Sequence, residues 1–300
     1  MRESIKENIQ EYRRGLVYTA VAFIAWGVLP FYWKMLKAVP AFEILGHRIL
    51  WSFVLTGVIL AIGKRTDVRN LLSDARNRVT LLTTGALIGL NWLTYVYAVN
   101  SDRIVEASMG YYINPLLSVF LGIVFLKERL NMLQIFAFIL ACAGVIYLTV
   151  DYGRFPWIAV LLACAFGLYG LFKKTSAVEV LPSLMIETML LSPIALGIII
   201  YQMMMGRGAF LNMSLGTDFL LVFAGVVTTL PLYWFALGAK RIPLASVGFL
   251  QYIAPTLMLV IGVLVYHEAF TRAHLISFGF VWLGLSLYSI TLVRGPQSSA

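Results

Sequence analysis

Four ionisable residues lie inside long apolar runs of this sequence: Glu43, His47 and Arg48 in one run and Glu187 in another. In a helix, Glu43 and His47 are four apart and share a face, with Arg48 beside them. Charge is expensive to hold in apolar surroundings, so residues of this kind are functional candidates by default. His47 can take up or release a proton near neutral pH, and with Glu43 it could couple a process to a proton gradient. A structural reading stands beside this one. Pro40 marks a helix start, which places Glu43 in the first turn, where a carboxylate complements the helix dipole. Glu187 follows Pro182 in a similar way, and Arg48 could pair with an acid and brace a bundle. Coupling and bracing both remain open.

A second set of side chains is polar or aromatic but uncharged. It comprises Asn91, Trp92 and Tyr95; Tyr111, Tyr112 and Asn114; and Gln251 and Tyr252. Asn91 and Tyr95 share a helix face, as do Tyr111 and Pro115. Asn114, Gln251 and Tyr252 are deep in their runs, where an unpaired amide or hydroxyl is costly. A cavity lined by such groups suits a mostly apolar or aromatic solute with a few polar atoms. Pro115 and Pro255 stand about halfway along their runs. A proline there removes a backbone donor and clashes with the preceding turn, so both positions are expected to kink or hinge. Tyr32, Trp33 and Tyr97 fall near run ends and fit an interfacial belt. Cys142 and Cys164 have no metal spacing, and His267 and His274 straddle a loop. No nucleophile elbow, zinc-protease signature or phosphate loop is present, so neither catalysis nor a metal or cofactor is expected.

The runs that must position these residues dominate the chain. Hydrophobic residues make up 60% of it and charged residues only 12%, with a mean hydropathy of +0.86. A soluble domain carries about 25% charged residues, so lipid is the expected solvent. Ten runs are long enough to span it, at 15–34, 40–62, 79–99, 104–126, 132–150, 156–172, 183–204, 217–238, 244–265 and 273–292. The short connections leave no room for a soluble domain. The net charge of +9 falls largely in those loops, which argues for headgroup contact and topology and against nucleic-acid binding. Sixteen Lys and Arg residues, Lys127, Lys173, Lys174, Lys240 and Arg241 among them, fall on the side of the N-terminus, and six on the other. That bias predicts cytoplasmic N- and C-termini, with residues 1–14 and 295–300 as cytoplasmic ends.

The chain also repeats itself. Tyr112–Glu128 (YINPLLSVFLGIVFLKE) is echoed by Tyr252–Glu268 (YIAPTLMLVIGVLVYHE) at an offset of 140 residues. The same offset relates Gly27 to Gly167, Gly85 to Gly225 and Gly144 to Gly284. The unit contains five spans, an odd number, so the second copy must cross the membrane upside down. Residues 15–150 and 151–294 are the two expected repeats, with a binding site at the midplane between them. Glu128 and Glu268, at the run ends, are expected to form caps or salt bridges.

The stretches Glu43–Ser52 (EILGHRILWS), Asn91–Asn100 (NWLTYVYAVN), Glu106–Glu128 and Gly248–Pro255 (GFLQYIAP) carry a resemblance. With Gly167–Lys174 and Glu187, they resemble the EamA-type repeat of the drug/metabolite transporter superfamily and, more narrowly, the RarD proteins. The resemblance implies an all-α membrane protein of ten helices in two inverted five-helix repeats. Its cavity would be lined chiefly by spans 1, 3, 4, 6, 8 and 9, and the protein would act as a permease of the inner or plasma membrane. Agreement between those spans and the polar set names Asn91, Trp92, Tyr95, Tyr112, Asn114, Gln251 and Tyr252 as solute ligands. Span 2 falls at the periphery, which assigns Glu43, His47 and Arg48 to coupling, gating or bracing. The expected cargo is a small metabolite or an amphipathic drug such as chloramphenicol, exported by alternating access, with lipid and protons as the other partners. An uncoupled facilitator and an intramembrane lipid-modifying enzyme are the competing readings.

Overall fold

Lipid offers a backbone no hydrogen-bonding partner, so long apolar runs that cross it close their hydrogen bonds within helices. The computed structural model describes residues 2–63, 68–267 and 271–293, and these form twelve helices and no strand. They are α1 (Arg2–Met35), α2 (Ala41–Gly63), α3 (Val68–Ser73), α4 (Ala75–Asn100), α5 (Ile104–Leu126) and α6 (Met132–Tyr152). The second half contains α7 (Trp157–Thr175), α8 (Val180–Met204), α9 (Leu215–Ala239), α10 (Leu244–Gln251), α11 (Ile253–Leu264) and α12 (Arg272–Val293). α3, α10 and α11 are each too short to cross a membrane alone. The pair α10–α11 makes one span, which gives ten candidate spans in the expected order. The chain is a multi-pass membrane protein. Residues 2–14, the expected cytoplasmic segment, are helical and continuous with the first span.

Helix ends follow local chemistry. Asp74 caps α4 by accepting from the Arg76 N–H at 2.8 Å, and Asn131 with Gln134 forms a reciprocal capping box on α6. Lys127 closes α5 with φ of 55°, and His267, 140 residues later, also has φ of 55° after α11. Two non-glycine residues thus accept a left-handed conformation at equivalent positions of the echo. Glu268 lies outside the described residues.

The two prolines behave differently. α5 runs through Pro115 unbroken, as α1, α8 and α9 do through Pro30, Pro193 and Pro231. The span containing Pro255 breaks at Tyr252. Pro255 has no N–H for the carbonyl of Gln251, four residues back, and α10 ends on that residue. At the break the Tyr252 N–H donates to the Phe249 carbonyl at 3.3 Å, a tighter turn.

Packing runs mainly between the halves. α2 lies against α8 and α9, α5 against α7 and α10, α6 against α12, α1 against α9 and α11, and α4 against α7 and α8. The α6–α12 crossing is reciprocal. A Cβ on Gly144 would stand 2.7 Å from the Ser277 carbonyl oxygen, and one on Gly284 would stand 2.7 Å from that of Ala137. Only glycine permits this approach. Gly144→Val should force the helices apart and cost about 1–3 kcal/mol, visible as a lower apparent Tm in detergent. An unchanged Tm would show that the crossing tolerates the side chain.

Candidate functional site

Helices α1, α2, α4, α5, α7, α9 and the α10–α11 span enclose a cavity of about 480 Å³. Its inner wall is aromatic: Trp26 meets Phe166 edge-on at 5.6 Å, and Phe23 packs on Trp26 at 5.3 Å. The lining extends from Gln251 and Ala254 in mid-span to Leu36, Lys37, Val99 and Ile104 at helix ends. The cavity therefore reaches outward where the α1–α2 and α4–α5 connections lie. The opposite end is sealed by contacts between the halves. Arg241 Nε donates to Glu11 at 2.8 Å, and the Glu128 carboxylate accepts from the N–H groups of Leu244 and Ala245 at 2.6 and 2.8 Å. Glu128 thus caps the start of α10, as its place in the echo suggested.

Arg48 projects into the cavity from the second turn of α2. Its guanidinium carbon is 4.7 Å from the ring centre of Trp92 and 5.4 Å from that of Trp33. Nε donates to Thr228 Oγ1 at 3.2 Å, and among the described residues the terminal nitrogens have no hydrogen-bond partner. Asn91 donates to the Leu162 carbonyl at 3.0 Å, and Gln251 Oε1 accepts from Ser118 at 3.1 Å. Asn114 Oδ1 is buried without a hydrogen-bond partner among the described residues. The described lining contains Arg48 and Lys37 but no Asp, Glu or His.

Comparison with known proteins places this architecture. Residues 13–150 match the EamA-like transporter family. An uncharacterized transporter, YojE, of Bacillus subtilis (strain 168) is 46% identical, over 96% of this chain and 98% of its own length. The chain belongs to the EamA-like transporter family. Protein RarD of Escherichia coli (strain K12) is 38% identical over 94% of this chain and 95% of that protein, so the chain is a RarD-like member. A Pseudomonas aeruginosa protein named chloramphenicol-sensitive protein RarD is 25% identical, covering 91% of this chain and 93% of its own. One crystal structure, 18% identical, superposes with a TM-score of 0.70 over 92% of this chain and 97% of that one, a likeness of fold.

In this EamA-family chain, Asn91, Trp92, Tyr95, Asn114, Pro115 and Gln251 line the cavity together. Tyr112, Tyr252 and Pro255 do not. Tyr112 meets Phe278 of α12 edge-on at 5.2 Å. Tyr252 is buried against Ala141 and Val281, its hydroxyl donating to the Tyr112 carbonyl at 3.2 Å. Adjacent helical residues point about 100° apart, so Tyr111 and Gln251 take the cavity face and their neighbours face α6 and α12. Trp33, expected in an interfacial belt, is part of the lining.

Span 2 is divided between the cavity and its outer side. Arg48 is inside the cavity and has no ion-pair partner among the described residues, whereas Glu43 and His47 sit behind its wall. The Glu43 carboxylate accepts from the N–H groups of Ala209 and Phe210 at 2.9 Å. His47 Nδ1 accepts from Trp51 Nε1 at 3.1 Å, which leaves the ring proton of the neutral form on Nε2, 4.0 Å from Glu43 Oε1. Glu187 is likewise away from the cavity. It bonds Lys173 Nζ and Thr84 at 2.6 Å and Ser183 at 2.8 Å, with Tyr169 at 3.3 Å. Lys173, counted in the sequence as a loop charge, is fully buried. The signal available for it was Glu187 itself, an acid in an apolar run that required a cation within reach.

Proposed function

We propose that this RarD-like chain is a permease of small metabolites or amphipathic drugs, working by alternating access between two inverted repeats, residues 15–150 and 151–294. The observation that carries this reading is a cavity between the halves, reaching one end of the bundle and sealed at the other. The reciprocal contacts Gly144–Ser277 and Ala137–Gly284 support the inverted relation, because a two-fold axis makes each contact recur with partners exchanged. Rocking of the halves has to break the Arg241–Glu11 pair and the Glu128 cap, with the turn at Tyr252 as the softest point of the lining helices and α5 at Pro115 as its stiffer counterpart. The bias of basic loops supports cytoplasmic termini and a plasma-membrane location, and it survives removal of Lys173 from the loops. The name of the Pseudomonas relative supports chloramphenicol as a first cargo to try.

Protons are the less favoured drive. Glu43 and Glu187 face structural partners, Trp51 occupies His47 Nδ1, and the described lining has no acid or imidazole, which favours flux down the solute's own gradient. In proteoliposomes, saturable counterflow of radiolabelled solute should proceed equally with and without an imposed pH gradient. Asn114→Ala should reduce it about tenfold, the scale of one lost polar contact, whereas Tyr112→Phe should leave it unchanged. Gradient-dependent flux lost in His47→Ala would restore proton coupling. Absence of flux for every solute tried would remove the transport assignment.

A further inference from the structure

We infer that the cavity is built for an organic monoanion, a flat and largely apolar carboxylate held on Arg48. The inference rests on reading the cavity as a solute site and names the class of solute. A guanidinium stays charged at any physiological pH, and this one has no acid beside it among the described residues. The nearest acid on its own helix, Glu43, is taken by the Ala209 and Phe210 N–H groups. Thr228 occupies Nε alone, so the two terminal nitrogens are left as a free fork. Such a fork fits a carboxylate through two parallel charge-assisted bonds.

The surroundings define the rest of the solute. Trp33 and Trp92 present ring surface to the guanidinium, and the same aromatic wall suits a planar body next to the carboxylate. The orphaned Asn114 Oδ1 calls for one donor on the solute, an N–H or O–H. Lys37 at the outer rim adds a second positive charge on the way in. A cationic amphiphile meets like charge here. A zwitterion finds its carboxylate matched and its ammonium without an acid. A neutral solute fills the space and leaves the fork unused. The competing role for Arg48 is a latch that ties α2 to α9 through Thr228, and a latch predicts no preference for the charge of a solute.

Three probes sharing one ring decide between these roles: radiolabelled indole-3-acetate, indole-3-acetamide and tryptamine, each in equilibrium dialysis against the purified full chain in detergent. Indole-3-acetate should bind at least tenfold more tightly than either of the others. Arg48→Gln should lower its affinity to that of the amide and leave the amide within twofold of its original value. Arg48→Lys, which keeps charge without the fork, should fall between. Thr228→Val removes the latch contact and should keep the preference for the anion. If Arg48→Gln does not yield folded protein, the comparison on the unaltered chain still decides. Equal affinities, a preference for tryptamine, or no binding of any probe overturns the inference. Selective anion binding without flux in proteoliposomes counts against the transport reading alone, and flux indifferent to head-group charge leaves transport standing and overturns the anion site.

Discussion

Glu187→Leu is expected to destabilise the protein by about 3–5 kcal/mol, the cost of leaving a buried charge without its partner. The stranded group is Lys173, whose side chain and that of Glu187 are each only 1% exposed. In the intact protein the ammonium is held by Glu187 at 2.6 Å and Ser183 at 2.7 Å, and the carboxylate also accepts from Thr84 of α4. Removing the acid leaves Ser183 as its remaining side-chain hydrogen bond. The double variant Lys173→Met with Glu187→Leu should recover most of the loss, because a well-packed apolar pair carries no desolvation penalty. Apparent Tm in detergent for the four proteins of this cycle reads the coupling directly. A single variant as stable as the parent would show that the pair does not hold α7 against α8.

Glu43→Ala comes next, with an expected loss of roughly 3 kcal/mol, since hydrogen bonds to a charged group contribute about 1.5–3 kcal/mol each and buried donors left unpaired add to the cost. The carboxylate is fully buried and is the acceptor for the Ala209 and Phe210 N–H groups in the α8–α9 connection. Glu43→Gln keeps one amide oxygen in place and should cost only about 1 kcal/mol, the scale of one ordinary hydrogen bond. The same pair of variants separates the two readings of span 2. A brace predicts that transport follows the amount of folded protein in both. A proton relay predicts that Glu43→Gln folds well yet loses any response to a pH gradient.

The positions of the spans were legible because twenty apolar residues in succession have one stable form in lipid, and the echo from Tyr112 to Tyr252 was legible because it keeps one offset. Part of the cavity wall, Asn91, Trp92, Tyr95, Asn114 and Gln251, could be named from polar residues in deep positions. The misplaced residues share a cause. Tyr112 and Tyr252 belong to the echo, but a repeat marks sequence equivalence and not the face of a helix, and a rotation of one residue sent them toward α12 and α6. Arg48 was assigned to the rim by the place of its span, yet a long side chain on the second turn reaches several ångströms inward. Lys173 was read as a loop charge because it sits in the last turn of its run, where lysines commonly reach water. Its burial depends on Glu187, fourteen residues away and on another helix. Pro255 broke its span and Pro115 did not, which no local rule on proline separates.

The first half of the chain has three carboxylates, Glu43, Glu106 and Glu128, that accept backbone N–H groups from the second half, at Ala209 and Phe210, Ile158, and Leu244 and Ala245 respectively. Synthesis runs from the N-terminus, so α1–α6 enter the bilayer before any of these donors exists. During that interval the three acids lack these backbone partners, and Gly144 of α6 lacks its contact with α12. Most of the helix packing described above joins one half to the other, so the first half acquires it only as the second is made. Residues that look like local caps in the mature protein thus find their donors in the order α7, the α8–α9 connection and α10, as the second half is made.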